Sequence, residues 1–445
     1  MKRDMTIKKA ERLEDMIRNF KPQPLDEKDF EIFYYKDTMK IRMGSSNDPM
    51  RHLFEDCTMQ TSFNNAYLLA GHRGCGKSTE LFSLKQRFVK DGYPVAMVRA
   101  EIDLNLHLAD CWDIMLFVTK ALCEIAVENN INLPHATVEA VFDYISTDME
   151  EIKTIDKAAS ISGEASIEAG VNLASLLKVL LKIKSSLQVG TSVRTSLTKK
   201  GERYASEWLM YIAEISVFIA DEMEGKQPII IFEGLDKIQP YERAFDVFGH
   251  EILAKMPFPV IYSFPMPLIY DAKIATLKSL YDLLVLPMIK VSNVDKTENE
   301  DGIAVITQIV ERRASAELFE DKVLEHMIKQ TGGVLRQLFE CIVTASRLAR
   351  WREAEKIEMQ DAEEALTELY ISLSTLISMP NYEDLINIYQ DENYRKSIGN
   401  KEALLSLIAA SVILEYRNGD RWHDLHPLIS KFLEKQGVVN DGKID

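Results

Sequence analysis

Residues 66–79 read AYLLAGHRGCGKST, an apolar run of strand length followed by a glycine-rich loop. The loop GHRGCGKST (71–79) matches the pattern G-x-x-x-x-G-K-[ST], and an amphipathic helical segment, ELFSLKQRFVKDG, follows it. This strand–loop–helix context is the one in which the pattern binds phosphate. Glycines let backbone N–H groups turn toward phosphate oxygens, and the helix N-terminus adds the positive end of its dipole. The stretch therefore predicts a nucleotide-binding loop at the edge of a parallel sheet.

Each polar residue of the loop has an expected role. Lys77 would neutralise charge on the β- and γ-phosphates, the Ser78 hydroxyl would ligate Mg²⁺, and Thr79 would bond near the α-phosphate. Arg73 is expected to face outward, and Cys75 to be a small residue tolerated in a tight loop rather than a redox switch. The candidate nucleotide-binding residues are the whole loop: Gly71, His72, Arg73, Gly74, Cys75, Gly76, Lys77, Ser78 and Thr79.

A second motif supplies acidic groups. In IIIFEGLDK (229–237) an apolar run precedes Glu233, and Asp236 follows three positions later. Nucleotide hydrolysis needs one carboxylate near Mg²⁺ and a second that orients or deprotonates water. Glu233 is the candidate metal ligand, acting through a water, and Asp236 is the candidate water-positioning acid. The alternative is a buried strand that ends in a solvated turn.

Two further residues are candidates for contact with the γ-phosphate. Ser263 ends the apolar run PVIYSF (259–264), where its hydroxyl can bond the γ-phosphate or the attacking water; a plain strand-end serine is the alternative. Arg336 follows a Gly-Gly break in TGGVLRQLF (331–339). Its guanidinium can fold back onto the γ-phosphate and couple a helical region to nucleotide state. The alternative there is a solvated helix arginine.

Four other polar residues invite a functional interpretation, but a structural one is favoured. Arg312 or Arg313 can act in trans as an arginine finger, yet a surface salt-bridged pair is the better prediction. His423 and His426 in WHDLHP suggest a metal site. Packing and hydrogen-bonding roles are favoured because no fourth ligand lies nearby.

Elements of two kinds alternate around these motifs. Strand candidates are residues 66–70, 94–102, 228–232, 259–264 and 283–291. Strand–loop–helix–strand order implies a parallel sheet with helices on its faces. The predicted fold class is α/β: a parallel-sheet P-loop NTPase domain, then a helical lid, then a C-terminal winged-helix-like module. The predicted divisions are an N-terminal helix and linker (1–29), the P-loop domain (30–295), the lid (296–375) and the C-terminal module (376–445).

Two segments of this plan carry their own signals. Residues 156–200 are rich in Ser, Ala and Gly, and we interpret them as an element inserted at about 150–200. A surface excursion is favoured there over an oligomer or partner contact. Near the C-terminus, alternating runs flank Asn418-Gly419, a strong hairpin signal. Helical segments before and after that hairpin favour the winged-helix-like module.

Charge argues against a protein whose main surface follows a phosphate backbone. The 445 residues carry a formal net charge of −16, the opposite of a nucleic-acid footprint. Residues 381–445 contain 8 Lys and Arg against 11 Asp and Glu, a net of 8 − 11 = −3. The predicted wing offers only Arg417 and Arg421 with Trp422. A protein-interaction or lid role is favoured, and DNA binding is kept as an alternative.

Composition also bears on location. The five cysteines show no C-x-x-C spacing, which indicates reduced thiols in a cytosolic protein. The N-terminus lacks an apolar signal-peptide region. The most lipid-like stretch, residues 171–187, carries three lysines and falls short of the roughly 20 apolar residues that a span needs. We therefore expect a cytoplasmic protein with no membrane segment.

With these residues assembled, the chain resembles the P-loop ATPases of the AAA+/STAND superfamily over roughly residues 30–370. More narrowly, it looks like bacterial ATPases with GHRGCGKSTEL-type loops and a hydrophobic-DGLDK segment. The resemblance implies that the first acid of that segment, here Glu233, binds Mg²⁺ and that Asp236 takes part in hydrolysis. Glu in place of Asp keeps a carboxylate but lengthens the side chain by one methylene, so slow turnover is expected.

The same resemblance bears on the lid and on function. The GG-x-x-R signature shared with origin-recognition ATPases corresponds to Gly332, Gly333 and Arg336. The leading hypothesis is an ATP-binding, slowly hydrolysing, Mg²⁺-dependent switch that controls a homo-oligomer or a partner effector protein. The family also implies ATP as the nucleotide and a possible setting in bacterial defence against phage. The alternatives are a DNA-binding initiator-type ATPase and a nucleotide-binding scaffold with little hydrolysis.

Overall fold

One parallel β-sheet organises the fold. The structure is a computed structural model and describes residues 8–25, 27–43, 48–59, 64–146, 172–189, 192–378, 381–396, 402–418 and 420–437. The strands of the sheet are β1 (Ala66–Ala70), β2 (Val95–Arg99), β3 (Ile229–Glu233), β4 (Val260–Phe264) and β5 (Asp282–Val285). They lie in the order β2-β3-β4-β1-β5, and all neighbouring pairs are parallel.

The central strands are buried on both faces, which is why they read as continuous apolar runs. Every residue of β1, β3 and β4 is buried, as expected of parallel strands covered by helices on both sides. The register pairs Ala70 with Phe264 and Arg99 with Glu233. The carboxyl ends of the strands therefore meet at one edge, where ligands bind in sheets of this kind.

Helices cover this sheet and continue beyond it. Those up to the end of the sheet are α1 (Leu13–Asn19), α2 (Glu27–Phe33), α3 (Thr38–Met43), α4 (Pro49–Met59), α5 (Lys77–Lys90), α6 (Ala100–Asp103), α7 (Cys111–Glu128), α8 (His135–Ser146), α9 (Leu173–Val189), α10 (Ser192–Glu222), α11 (Arg243–Phe248) and α12 (Ile274–Lys278). Those that follow are α13 (Glu300–Glu311), α14 (Val323–Gln330), α15 (Leu335–Trp351), α16 (Met359–Ser374), α17 (Tyr382–Gln390), α18 (Glu392–Lys396), α19 (Glu402–Ala409) and α20 (Pro427–Lys435). The α/β fold-class prediction is confirmed.

The described part of the predicted insertion belongs to the core. Helices α9 and α10 pack against α7, and α9 also packs against α8. Leu176, Leu180, Ile183 and Leu197 are buried in the main hydrophobic cluster. The surface-excursion interpretation is wrong for this part, because apolar residues at helical spacing outweigh the Ser-rich and Ala-rich composition. Residues 156–171 lie outside the described residues.

Two strands are shorter than the sequence predicts. Strand β2 ends at Arg99, where α6 begins, although the apolar run continued to residue 102. Strand β5 ends at Val285, whereas a strand over 283–291 was predicted. Pro287 lacks the N–H group that a continuing sheet ladder needs. Residues 286–291 nevertheless stay buried.

The N-terminal segment packs on the predicted lid. Helix α1 lies against α15, and the Phe20 and Phe339 rings meet edge to face with centroids 5.4 Å apart. The Asn19 side chain donates to the Arg313 carbonyl at 2.9 Å. Residues 8–20 and the lid thus share one hydrophobic cluster, while the four-part domain division stays a prediction.

The predicted hairpin near the C-terminus is present. Strands β6 (Ile413–Asn418) and β7 (Asp420–Leu425) pair antiparallel, with Ile413 opposite Leu425. Helices α17 to α19 precede the hairpin and α20 follows it. The Tyr416 hydroxyl donates to the Gly332 carbonyl at 2.7 Å, so the hairpin contacts the Gly-Gly break of the lid.

Two further properties concern the residues that the structure describes. Among the residues described, no helix is both long enough and apolar enough to cross a bilayer. All five cysteines are buried and carry free thiols.

Candidate functional site

The glycine-rich loop bends through two left-handed residues. Gly74 has a φ of +83° and Gly76 a φ of +98°, values that residues with a Cβ rarely adopt. A Cβ on Gly74 would lie 2.7 Å from the Arg336 Cβ. The Arg336 backbone N–H also donates to the Gly74 carbonyl at 3.3 Å. Glycine at 74 therefore sets the backbone turn and allows the lid helix α15 to approach the loop.

Lys77 begins α5 and forms a buried ion pair. Its Nζ lies 2.7 Å from Asp236 Oδ2, and both side chains are less than a tenth exposed. Nζ also donates to the Gly71 carbonyl at 3.1 Å. The other carboxylate oxygen of Asp236, Oδ1, is buried and finds no hydrogen-bond partner among the described residues. A buried, unpaired carboxylate oxygen is costly unless a ligand or a water satisfies it.

Ser78 and Glu233 come together as the two motifs predicted. The Ser78 hydroxyl donates to Glu233 Oε1 at 2.5 Å. Burial raises the pKa of Glu233, while the Ser78 hydrogen bond opposes that rise. One hydroxyl and one carboxylate at this edge are oxygen donors of the kind that Mg²⁺ accepts. Within the described residues there is no cluster of three or more His, Cys, Asp or Glu that could hold a metal, so a Mg²⁺ ion here needs ligand oxygens as well.

Four cationic side chains converge near the loop, and we call them the cationic wall: Arg73, Lys77, Lys237 and Arg336. All four line one cavity. Burial first, and then the charges of Arg336, Lys77 and Arg73, lower the pKa of Lys237 to about 8. Lys237 therefore lies within Coulomb range of the other three charges.

The acids near the cationic wall neutralise only part of it. Lys77 is paired with Asp236, and Lys237 forms an ion pair with Glu101. For the guanidinium groups of Arg73 and Arg336, no ion pair or hydrogen bond occurs with any of the residues described. The wall therefore attracts anions.

The same cavity has a second lining of different character, which we call the apolar wall. It consists of Pro22, Pro24, Leu25, Phe33, Ile309, Leu335 and Phe339. The cavity encloses about 910 Å³ of empty space, which includes space open to solvent. Part of the predicted N-terminal helix and linker (1–29) thus lines the cavity. Helix α2 begins at Glu27, within that predicted linker.

Arg313 belongs to this cavity and not to the surface. It is 6% exposed and its Nη1 donates to the carbonyls of Phe33 and Ile309 at 3.2 and 3.0 Å. Its guanidinium stacks on the rings of Phe33 and Phe339. The prediction that Arg312 and Arg313 are a surface salt-bridged pair is wrong, because backbone carbonyls at the end of α2 accept hydrogen bonds from both guanidinium groups. Arg312 donates to the Ile32 carbonyl at 3.0 Å.

Ser263 does not line the cavity. It is fully buried, and its hydroxyl accepts a hydrogen bond from the Leu235 backbone N–H at 2.9 Å. The predicted contact with a phosphate or water is corrected to a positioning role, because the hydroxyl fixes the short turn Leu235–Lys237. That turn carries Asp236 and Lys237 toward the cavity.

The loop is also held from outside the sheet. His72 is buried, and its Nε2 accepts from the Glu415 backbone N–H of β6 at 2.8 Å. Burial lowers the pKa of His72 to about 3, so the ring is neutral at pH 7. Arg42 donates to the carbonyls of Cys75 and Pro287 at 2.6 and 2.5 Å. The His72 side chain therefore links the loop to the C-terminal hairpin through its Nε2.

The remaining loop residues lie as follows. Cys75 is buried, in keeping with a packing role. Arg73 is exposed, as predicted, yet it stands at the rim of the cavity. Thr79 is half-buried and lines the cavity beside Ser78. Glu80, the next residue, is buried and accepts hydrogen bonds from Thr38 and Tyr34 at 2.8 and 3.0 Å.

The arginines of the C-terminal hairpin pair with an acid of the same hairpin, although Arg421 stays about two-fifths exposed. Arg417 and Arg421 each approach the fully buried Glu415, at 3.4 and 3.5 Å. Trp422 is 3% exposed and its ring stacks on Tyr416 at 4.7 Å. The predicted wing side chains are thus engaged within the molecule, where they pair and pack.

The two histidines of WHDLHP have packing and hydrogen-bonding roles, as predicted. His423 Nε2 bonds the Tyr270 hydroxyl at 2.6 Å and its Nδ1 bonds the Arg395 carbonyl at 3.0 Å. His426 Nε2 bonds Gln337 at 2.9 Å, and its Nδ1 accepts from the Leu428 N–H at the start of α20.

Sequence reasoning missed several residues of the site: Pro22–Leu25, Arg42, Arg313 and Lys237. Lys237 stood in the quoted motif, and its position one residue after Asp236 was the available signal. For Arg42 and Arg313 the sequence offers no signal, because nothing local marks a helix arginine as buried.

Comparison with solved structures finds matches from several organisms. The ADP form of the Aeropyrum pernix ORC2 protein is 11% identical, covers 95% of this chain and 98% of its own, and gives a TM-score of 0.40. The Walker-type ATPase PABY2304 of Pyrococcus abyssi is 12% identical over 94% of this chain and 99% of its own, with a TM-score of 0.40. Drosophila ORC bound to DNA is 12% identical over 98% and 95%, with a TM-score of 0.36.

Identities and TM-scores this low do not establish a shared ligand or activity. No protein-family model matches the chain, and no curated protein matches it.

Proposed function

We propose that this protein binds ATP and ADP with Mg²⁺ and hydrolyses ATP slowly, acting as a nucleotide-dependent switch. The observation that carries the proposal is the cationic wall around the glycine-rich loop. Four cations face a cavity beside a helix N-terminus, and two of them have no partner among the described residues. A polyanionic ligand would satisfy this arrangement.

The apolar wall supports a nucleotide over a simple phosphate. Phe33 and Phe339 flank the Arg313 guanidinium at the cavity, and flat bases stack well on such surfaces. A ligand with a planar ring at one end and phosphates at the other matches both walls. ATP is the nucleotide implied by the family resemblance.

The acids fit a metal-assisted site. Ser78 and Glu233 would hold Mg²⁺ together with phosphate oxygens. When bound, Mg²⁺ would neutralise charge on the β- and γ-phosphates. Lys77 would contact the same phosphates from the start of α5.

Slow hydrolysis follows from the state of Asp236. Its carboxylate is the candidate water-positioning group, and the unpartnered Oδ1 is the oxygen free to hold a water. The other oxygen is ion-paired with Lys77, so it is not available to orient a water. A site of this kind turns over slowly, unless Lys77 moves to the nucleotide and releases Asp236.

The arginines of the hairpin bear on the DNA-binding alternative. Arg417 and Arg421 both pair with Glu415, although Arg421 is about two-fifths exposed, and salt-dependent DNA binding needs free cations. We therefore favour a switch in which the C-terminal hairpin touches the loop through His72. Nucleotide state would then reach a homo-oligomer or an effector protein through that module, in a setting such as defence against phage.

The test combines binding and turnover on the full chain. Calorimetric titration with MgADP and phosphate release from MgATP would be measured for wild type, Lys77→Ala and Asp236→Ala. The matched control is Lys255→Ala, a solvent-exposed lysine paired with Glu251. Hydrogen bonds to charged groups contribute about 1.5–3 kcal/mol, so Lys77→Ala should weaken MgADP binding roughly 10- to 100-fold.

The outcomes separate the candidate functions. Phosphate release that is lost in Asp236→Ala and unchanged in Lys255→Ala supports the slow ATPase. Tight MgADP binding with no release above the variants supports the scaffold alternative. Wild type that binds neither nucleotide would overturn the proposal.

A further inference from the structure

The pair Lys237–Glu101 lies beside the phosphate-binding loop, and the proposed function uses only the charge of Lys237 and assigns Glu101 no role. Lys237 lines the cavity, whereas Glu101 stands at the carboxyl end of the edge strand β2, in α6. The two side chains form an ion pair. Lys237 is about one-fifth exposed and Glu101 about two-fifths, so this pair is more open to solvent than the buried pair Lys77–Asp236.

Gly234 is what lets Glu101 reach this position. A Cβ on Gly234 would lie 3.1 Å from the Glu101 Cγ and 3.6 Å from its Oε1. Gly234 also has a φ of +91°, a conformation that favours glycine. The residue after Glu233 therefore carries no side chain, and the carboxylate of Glu101 occupies the adjoining space.

The position of Lys237 along the ligand follows from the loop. In a loop of this pattern the backbone N–H groups hold the α- and β-phosphates, and the lysine reaches the β- and γ-phosphates. Lys77 is paired with Asp236, and Lys237 is the next residue on the same short turn, Leu235–Lys237. Lys237 thus reaches the cavity from a different strand end than the loop, next to the residue that pairs with Lys77.

We propose that Lys237 contacts the third phosphate of a bound nucleotide, and that Glu101 is the positioning residue that holds this lysine when no third phosphate is present. This inference rests on the proposed function and names how the site tells a triphosphate from a diphosphate. A diphosphate leaves the ion pair intact. A triphosphate offers Lys237 an anion of higher charge and draws it from Glu101, which frees a carboxylate at the edge of the sheet.

The two members of the pair should shift selectivity in opposite directions. Replacing Lys237 by Ala removes a charge-assisted contact made only to the third phosphate. Affinity for Mg·AMPPNP should then fall about 10-fold while affinity for MgADP changes by less than about twofold. Replacing Glu101 by Gln removes the competitor for Lys237. Affinity for Mg·AMPPNP should then rise about two- to fivefold, again with MgADP unchanged.

The experiment is calorimetric titration of the full chain with Mg·AMPPNP and MgADP. The variants are Lys237→Ala, Lys237→Arg, Glu101→Gln and the double variant, with Lys255→Ala as the control. Lys237→Arg keeps the charge and should restore most of the preference for the triphosphate. The double variant should match Lys237→Ala, because Glu101 acts only through Lys237. Thermal melting of each variant separates lost binding from lost folding.

The results distinguish this inference from the function beneath it. If Lys237→Ala weakens the affinities for both nucleotides equally, or if Glu101→Gln has the same effect as Lys237→Ala, the pair is only structural. The inference is then wrong, while the proposal of nucleotide binding still holds. If the wild-type protein binds neither nucleotide, both the inference and the proposed function are wrong. Selective loss in Lys237→Ala with rescue by Lys237→Arg supports it.

Discussion

The two walls of the cavity differ in how they are made stable. The cationic wall gathers like charges that repel one another, and acids offset only part of that repulsion. The apolar wall buries rings and prolines that attract one another without any ligand. In the free protein the cationic wall is therefore destabilised by charge repulsion, whereas the apolar wall is stabilised by packing. A ligand that removes the repulsion is selected by its charge first and by its shape second.

The largest expected effect comes from the buried ion pair of the cationic wall, Lys77–Asp236. Lys77→Ala leaves Asp236 buried without its partner, and breaking a buried ion pair costs about 3–5 kcal/mol. The free energy of unfolding from urea denaturation should fall by that amount. The double variant Lys77→Met with Asp236→Leu should recover most of it. A single variant that loses less than about 1 kcal/mol would show that water already screens the pair.

The apolar wall should give a smaller and unselective effect. Phe339→Ala removes a ring from the cavity, and base–aromatic stacking contributes about 1–3 kcal/mol. MgADP and Mg·AMPPNP should both weaken about 10-fold in calorimetric titration. Trp351→Ala is the control, since Trp351 lies on the same helix, is 76% exposed and should change neither affinity. Selective weakening of one nucleotide would contradict the division into two walls.

The pH dependence sharpens the role of Lys237. Burial lowers the pKa of Lys237 to about 8, together with the positive charges of Arg336, Lys77 and Arg73. Glu101 is the anion that pairs with Lys237. Only the protonated amine attracts a third phosphate, so this part of the affinity is present below pH 8 and is lost as pH rises above it. A bound third phosphate raises the pKa of Lys237, so the Lys237 amine takes up a proton when the triphosphate binds above pH 8.

The measurement is affinity for Mg·AMPPNP between pH 7.5 and 9.5, a range in which phosphate groups are already ionised. A decrease of about fivefold is expected across it, with MgADP unchanged. Lys237→Arg should abolish the slope while keeping the affinity, since arginine does not titrate there. An equal slope for both nucleotides would point to another titrating group.

The smallest effect belongs to Arg73 at the exposed rim. Exposed charges contribute about 0.2–1 kcal/mol, so Arg73→Ala should weaken MgADP binding by no more than about fivefold. The loss should shrink further at high salt, because screening acts most on exposed charges. A loss as large as that of Lys77→Ala would place Arg73 inside the site instead of at its rim.

The walls also differ in how far a sequence reveals them. The loop, Glu233 and Asp236 were predictable because a glycine turn and a strand end are local features, and the parallel sheet brings strand ends together. The apolar wall draws on segments from Pro22 to Phe339, and no local pattern links them. Arg313 looked like a surface residue because most helix arginines are exposed, and only the packing of α2 made it a buried one.

Ser263 and Lys237 show the same limit within the motifs. A strand-end hydroxyl can face the ligand or the backbone, and the choice depends on the turn that the neighbouring strand happens to make. The sequence placed Lys237 beside Asp236, but its role depends on Glu101, more than 130 positions earlier in the chain. The sheet edge and its residues were therefore predictable, whereas the pairing of charges across it was not.

The hydrogen bond between His72 and Glu415 spans 343 residues of chain. During synthesis at about 5–20 residues per second, the loop emerges roughly 20–70 s before its partner does. Throughout that interval the His72 side chain lacks the Glu415 N–H group that it bonds in the folded protein. Strand β6 therefore closes the glycine-rich loop only after the more than 300 intervening residues have been made.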